Sequence, residues 1–381
     1  TARAVNKAFA WNSGFKEFFA VKATPNPTIL KILQEEGCGV DCATDVELKM
    51  ADKLGFDRSA ISFTSNDTQA SEFVFARSIN ATINLDAYEH IAFLEGLPET
   101  VSLRFNPGGV FSLGTDIMDH PEESKFGMTK EQLFQGYQDL KDKGVKSFGL
   151  HAFLASNTVT NDYYPTLAAQ LFELAVEIKN ELGISLDFIN LSGGIGIDYS
   201  AADEQNDIAV IGEGVHQKFD DILVPNGLSQ IKIYTELGRY MLASHGHLIT
   251  KVLHLKDTYR HYVGVDASAV NLLRPAMYDA YHHITNISNP QGTVQVVDIV
   301  GSLCENNDKF AKRRELPEAR VGDTLVIHDT GAHGFSMGYN YNGRLRSAEI
   351  LLREDGQAQM IRRAETPEDY FATLYGFNFD R

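Results

Sequence analysis

The sequence predicts an α/β chain in two parts, an N-terminal (β/α)8 barrel at 1–249 and a C-terminal, mostly β domain with a closing helix at 250–381. Three observations predict it. From Phe15 to about Ile249, short apolar runs alternate with amphipathic helical stretches, the pattern of repeated βα units and a parallel sheet. Beyond about residue 250 the texture changes to β-rich runs separated by Gly-Asp turns. At 381 residues with 43% hydrophobic side chains, the chain exceeds what one small core needs and can bury a large one.

The elements follow in order. Glu17–Lys22 reads as a first strand and Thr28–Glu36 as its helix; Gly39–Asp41 precedes the helical Asp45–Leu54, and Ile61–Phe63 precedes Gln69–Ala76. Ala81–Leu85, Val101–Phe105, Ser147–Ala152, Ser185–Leu191 and Ile231–Glu236 bring the strands to the number that closes a barrel, with long helical patterns at Pro165–Leu182 and Glu204–Leu223. An open doubly wound sheet is the alternative. Leu248–Leu255, Tyr262–Val265, Thr293–Val300 and Asp323–His328 form the β-rich part, and Pro367–Leu374 reads as the last helix. The chain begins inside a helical pattern, Ala4–Phe9, so an upstream segment is expected.

Composition narrows the function. The 34 basic and 51 acidic side chains give a net charge of −17, which argues against a nucleic-acid partner. Cys38, Cys42 and Cys304 are too few and too irregular for a disulfide framework or a structural zinc site, so a cytoplasmic chain is expected. No apolar run of about 18 residues or charged-then-apolar leader is visible, and neither a membrane span nor a signal peptide is expected.

Several motifs carry chemistry. Phe19-Ala20-Val21-Lys22-Ala23 delivers one lysine at the end of an apolar run; a desolvated amine there can form a Schiff base with an aldehyde, whereas an ordinary strand-end lysine reaches water. Ser192-Gly193-Gly194-Ile195-Gly196 follows a strand and has the shape of a phosphate cradle, and equally of a glycine-rich turn. It is no dinucleotide fingerprint, because the third glycine of that pattern falls on Tyr199. Glu236 and Arg239 close the next strand, as a carboxylate for a pyridine nitrogen and a guanidinium for an oxyanion, or as a plain ion pair. Arg274 with Tyr278 is a second candidate carboxylate-binding pair, and Cys304 beside Glu305 sits in a turn that reads as a contact for a polar substrate or as a plain acidic surface loop. His245, His247, His282 and His283 raise a metal hypothesis, but no carboxylate or cysteine stands at familiar ligand spacing, and no metal is expected.

Taken together and in order, FAVKA, VDCAT, GLHAFLASNT, SGGIG, ELGRY, NLLRPAMY, LCENND and GAHGFSMGYNYNGRLRSAE resemble the fold-type III pyridoxal-phosphate decarboxylases, the ornithine, diaminopimelate and arginine decarboxylase family, and within it the diaminopimelate branch. The resemblance covers nearly the whole chain and implies a barrel plus a β domain. It implies that Lys22 carries pyridoxal 5′-phosphate as a Schiff base and that Glu236 pairs with the ring nitrogen. Ser156, Gly193, Gly194, Gly196, Gly238 and the backbone near Arg239 would bind the phosphate, with His151, Phe153, His333 and Tyr341 also around the cofactor and Asp41 and Glu47 on the lysine side.

Arg239, Arg274 and Tyr278 would hold the distal carboxylate of the substrate and Glu305 its distal amino group. Cys304 and Glu305 would reach a neighbouring subunit's site, which implies a homodimer with shared active sites. The implied reaction turns meso-diaminopimelate into L-lysine and carbon dioxide, with Cys304 or Lys22 returning the proton. Three residues depart from the family pattern: Phe153 for a ring-stacking histidine, His333 for a tyrosine, and Ser192 for the first glycine of the cradle. A decarboxylase for another amino acid or polyamine precursor, a racemase and a non-catalytic cofactor carrier are the alternative readings.

Overall fold

A strand buried on both faces is mostly apolar, and eight such segments close a parallel barrel in the order β1 to β8. They are β1 Lys16–Ala20, β2 Gly39–Cys42, β3 Ile61–Ser65, β4 Thr82–Leu85, β5 Thr100–Arg104, β6 Ser147–His151, β7 Phe188–Asn190 and β8 Lys232–Thr235. The computed structural model describes residues 1–111, 113, 120–200 and 206–377. Phe19, Val40, Phe63, Ile83, Leu103, Leu150, Ile189 and Ile233, one from each strand, are fully buried. Each such side chain contributes roughly 1.5–3 kcal/mol by leaving water.

The intervening helices are delimited by local chemistry. They are α1 Ala2–Ala8, α2 Pro27–Glu35, α3 Asp45–Leu54, α4 Ala70–Ser78, α5 Lys130–Lys143, α6 Tyr163–Leu182, α7 Ile208–Lys218 and the short α8 Arg239–Leu242. Asn26 caps α2 by accepting from the Thr28 amide at 3.0 Å, with Pro27 at the first helical position. Thr129 and Gln132 cap α5 reciprocally, and Gly144 ends it in the left-handed region at φ +107°.

By contact the chain divides into two compact units, Thr1–Asp198 with Asp203–Met241, and Tyr199–Ala202 with Leu242–Arg381. The second unit holds β9 Leu248–Asp257, β10 His261–Val265, α9 Arg274–Tyr278, β11 Ile284–Asn286, β12 Val294–Val300, β13 Lys309–Pro317, β14 Thr324–Ile327, β15 Glu349–Leu352, β16 Ala358–Arg362 and α10 Pro367–Phe371. Six strands form one sheet in the order β11-β14-β9-β10-β12-β13, with β10 and β12 parallel, and β15 pairs with β16. Val252, Val263, Ile299, Phe310, Leu325 and Ile327 belong to its core.

Most elements shift by a few residues from their sequence-based bounds, and three of the differences bear on the fold. The first strand ends at Ala20, because Val21–Ala23 turns into a 3-10 helix whose Val21 carbonyl takes the Thr24 amide at 3.0 Å. The pattern at Glu204–Leu223 is the α-helix Ile208–Lys218 followed by a π turn, Phe219–Leu223, while Glu204 and Gln205 lie outside the described residues. The last helix stops at Phe371, short of Leu374. No helix among the described residues is long and apolar enough to cross a membrane.

Candidate active site

Parallel strands of a barrel present their C-terminal ends on one face, and the polar side chains collect there. Glu236, one residue past β8, is their centre. It is 5% exposed, and four groups bond its carboxylate: Asn190 Nδ2 donates to Oε1 at 2.7 Å, Ser192 Oγ to Oε2 at 2.8 Å, Thr64 Oγ1 to Oε1 at 3.5 Å, and His151 Nε2 lies 3.2 Å from Oε2. Burial alone would raise this acid. The His151 charge and hydrogen bond, the Ser192 hydroxyl and the field of Lys22 outweigh it and bring Glu236 down to about 2, so an ionised acceptor stands at the mouth.

Asp41 behaves oppositely. Burial and the neighbouring Glu236 push it well above the usual range, against the pull of Lys22 and a Thr64 hydrogen bond. Glu47 is also raised by burial, although the Ala43 amide donates to it at 2.7 Å.

Lys22 occupies the 3-10 turn beyond β1 and is exposed, which corrects the reading of a desolvated strand-end amine: the chain turns before the lysine, so its stem leaves the buried layer. Its Nζ lies 5.9 Å from the centre of the half-buried Phe153 ring, and the Arg104 guanidinium stands 5.9 Å from the same ring.

The glycine-rich turn after β7 is braced from two sides. Tyr164 Oη donates to the Ser192 carbonyl at 2.6 Å, and the Thr158 amide and hydroxyl both bond the Gly194 carbonyl, at 2.9 and 3.1 Å. A Cβ on Gly193 would stand 2.8 Å from the Glu236 carbonyl, and one on Gly194, at φ +110°, would stand 2.4 Å from the Tyr163 ring. Only glycine fits these two positions. The Gly196 amide is already given to the Thr158 carbonyl at 2.9 Å, so Gly196 supplies room to the turn rather than a donor.

In the second unit, Arg274 at the start of α9 is 2% exposed, donates from Nη1 to His282 Nε2 at 2.8 Å and lies 4.2 Å above the Tyr199 ring. Tyr278 is exposed, as are Cys304, Glu305 and Tyr341. The Cys304 amide donates to Asn342 Oδ1 at 2.7 Å, and buried Asp308 ties the same loop by accepting from the Leu303 and Ala269 amides at 2.9 and 2.7 Å. His333 takes a left-handed φ of +56°, a conformation uncommon outside glycine in which histidine is among the enriched residues.

Residues 1–243 match the family described as "Pyridoxal-dependent decarboxylase, pyridoxal binding domain". The chain belongs to this family. Among its relatives, Protein TabA of Pseudomonas amygdali pv. tabaci is 40% identical over 97% of this chain and 87% of its own. The diaminopimelate decarboxylase of Methanothermobacter thermautotrophicus is 35% identical over 96% of this chain and 87% of its own. The crystal structure of diaminopimelate decarboxylase from Helicobacter pylori complexed with L-lysine superposes with a TM-score of 0.89 at 27% identity, covering 97% of this chain and 92% of the other.

This pyridoxal-dependent decarboxylase therefore has pyridoxal 5′-phosphate as its cofactor and is a carboxy-lyase. The residues present fit the group. Asp41 Oδ1 and His151 Nδ1 are buried with no hydrogen-bond partner, and the Glu236 carboxylate is ionised beside them.

Sequence reasoning passed over Asn190, Ser192 as a donor, and Thr64, whose Oγ1 lies 3.5 Å from Glu236 Oε1. For Asn190 the available signal was a lone polar residue at the C-terminal end of an otherwise apolar strand.

Proposed function

We propose that this chain decarboxylates meso-2,6-diaminopimelate to L-lysine and carbon dioxide. The observation that carries the reading is the ionised Glu236 carboxylate, fixed by His151, Asn190 and Ser192 at the barrel face that also carries Lys22. The relatives named diaminopimelate decarboxylase, two of them cited above, support the substrate.

When bound, the cofactor supplies an aldehyde for the substrate amine and a ring that accepts the electron pair released with carbon dioxide. Lys22 is the amine that anchors it, and Glu236 holds a proton at the ring nitrogen. The turn at Gly193 and Gly194, with Ser156, Gly238 and the backbone at Arg239, takes the phosphate, joined by His333 and Tyr341. Phe153 offers an apolar face in place of a titratable one.

Arg239, Arg274 and Tyr278 hold the distal carboxylate and Glu305 the distal amine, the two signs of charge that an amino-acid head requires. Cys304 or Lys22 returns the proton to the substrate carbon. The barrel at 1–249 binds the cofactor, and the β-rich domain at 250–381 carries Arg274, Tyr278, Cys304 and Glu305. Cys304 and Glu305 act in a neighbouring copy's site, so the active form is a homodimer, and its compartment is the cytoplasm.

The test is to supply the holoenzyme separately with meso-diaminopimelate, ornithine, arginine and lysine and to measure carbon dioxide and product chirality. Selective conversion of diaminopimelate to L-lysine is expected. Release from another amino acid alone would overturn the substrate, and release from none would overturn the reaction.

A further inference from the structure

Glu17 stands on β1, five residues before Lys22, and is 1% exposed. A carboxyl in such a place is unfavourable unless its hydrogen bonds are made. They are made to two particular groups: Oε1 accepts from the Leu237 amide at 2.8 Å, and Oε2 shares a short hydrogen bond with the Thr235 hydroxyl. Thr235 and Leu237 are the residues on either side of Glu236.

The same seam is knitted further along. Lys16 and Glu17 pair in register with Tyr234 and Thr235, and the Ala20 amide reaches the Leu237 carbonyl at 3.4 Å. A Cβ on Gly238 would stand 2.9 Å from Ala23 Cβ, so the chain after Glu236 lies directly against the Lys22 turn. A one-residue slip here would turn Glu236 away from the mouth.

We propose that Glu17 is a positioning residue, whose carboxyl grips both neighbours of Glu236 and so sets the aim of the Glu236 carboxylate relative to the Lys22 turn. This rests on the reading of Glu236 as the partner of the ring nitrogen.

The protonation states agree with that role. Burial raises Glu17 to about 8 despite the Thr235 and Leu237 bonds, and the Glu236 charge adds to the rise. Near neutral pH, Glu17 is a neutral acid beside an ionised Glu236: two adjacent carboxyls driven to opposite states. As a neutral clamp it holds the strand end without setting a second negative charge against Glu236. Glu236 just past β8, Cys38 before β2 and Tyr164 on α6 are the titratable groups whose fields couple to it.

The experiment compares Glu17→Gln, Glu17→Leu and Glu236→Gln with the unaltered chain, reading cofactor Kd and the absorbance of bound cofactor from pH 6 to 9. Glu17→Gln keeps both hydrogen bonds without the proton, so it should bind with unchanged Kd and lose any spectral change through pH 8. Glu17→Leu should weaken Kd roughly tenfold, in keeping with two lost hydrogen bonds, and shift the spectrum.

A folded Glu17→Leu with unaltered Kd and spectrum would overturn the proposal. If that variant does not fold, Thr235→Val, which removes one of the two bonds, takes its place, and unaltered Kd and spectrum there would overturn the proposal. Glu236→Gln separates the two readings: an unchanged spectrum there sinks the Glu236 assignment itself, whereas a changed one with silent Glu17 variants sinks only the clamp.

Discussion

Arg274 Nη1 donates to His282 Nε2 at 2.8 Å, and His282 Nδ1 lies 2.8 Å from the His328 carbonyl oxygen. A guanidinium has only donors, so Nε2 must accept, and the ring proton sits on Nδ1 and points at His328. The histidine is neutral and both its nitrogens are engaged, which gives the His282 of the Tyr-His-His run a job other than metal binding. If Arg274 holds the distal carboxylate, His282 aims it.

His282→Ala should therefore raise KM for the dicarboxylic substrate more than it lowers kcat. It should also lower stability by about 1–3 kcal/mol, because a buried donor is left unmatched. His282→Gln, which retains an acceptor, should recover most of the KM. Steady-state kinetics on both variants checks this, and an unchanged KM in His282→Ala would remove Arg274 from substrate binding.

The buried acids set how stability follows pH. Glu17, raised to about 8, keeps its proton in the folded chain after the unfolded chain has released it near 4.5. Between those values the native state binds more protons, so its contribution falls as pH rises, by roughly 1.4 kcal/mol per pH unit at most. Asp41 and Glu47, also raised, act with the same sign. Glu236, lowered to about 2, has the opposite sign: its contribution is full above 4.5 and is lost as pH falls toward 2. Thermal denaturation of the apoprotein from pH 5 to 8 should show Tm declining, and Glu17→Gln should flatten that decline. Parallel curves would mean that Glu17 is ionised in the fold.

The barrel was legible because parallel strands are buried on both faces and so appear as plain apolar runs; Ile83, Val101 and Ile189 mark theirs without ambiguity. Helix α5 was passed over because only Leu133, Gly136, Tyr137 and Leu140 along it are buried, although the Thr129–Gln132 cap and Gly144 announced both ends. Strand β13 carries Lys312, Arg313, Arg314 and Glu315, and only its pairing with β12 makes it a strand. The same limit applied at the site. Lys22 and Glu236 stand in recognisable motifs, whereas Glu17 and Asn190 matter only through partners 220 and 46 residues away, contacts that no local pattern encodes.

Gly193 joins the phosphate turn to Glu236 sterically, since a Cβ there would meet the Glu236 carbonyl at 2.8 Å. That neighbour is backbone, which cannot swing aside as a flexible side chain would. Gly193→Ala should therefore displace the β8 end and weaken cofactor binding by about tenfold or more, at an overpacking penalty of about 1–3 kcal/mol. Fluorescence titration of the apoprotein with pyridoxal phosphate measures it. Binding at unaltered affinity would show that the turn yields without moving Glu236.

Ser192 opens this turn at a φ of +57°, a backbone region that favours glycine. A serine there loses roughly 1–2 kcal/mol to the left-handed backbone. In exchange its hydroxyl donates to Glu236 Oε2 at 2.8 Å, a hydrogen bond to a charged group worth about 1.5–3 kcal/mol. The two terms nearly cancel, so Ser192→Gly should leave stability at pH 7 almost unchanged. It should nevertheless raise the Glu236 pKa, because one of the groups that hold that carboxylate down is gone. Ser192→Ala keeps the strained backbone and loses the bond, and should be the less stable of the two by about 1–2 kcal/mol. Acid titration of cofactor binding below pH 5, run beside thermal denaturation at pH 7, separates the effects. Equal stability for the glycine and alanine variants would mean that the left-handed turn carries no strain at Ser192.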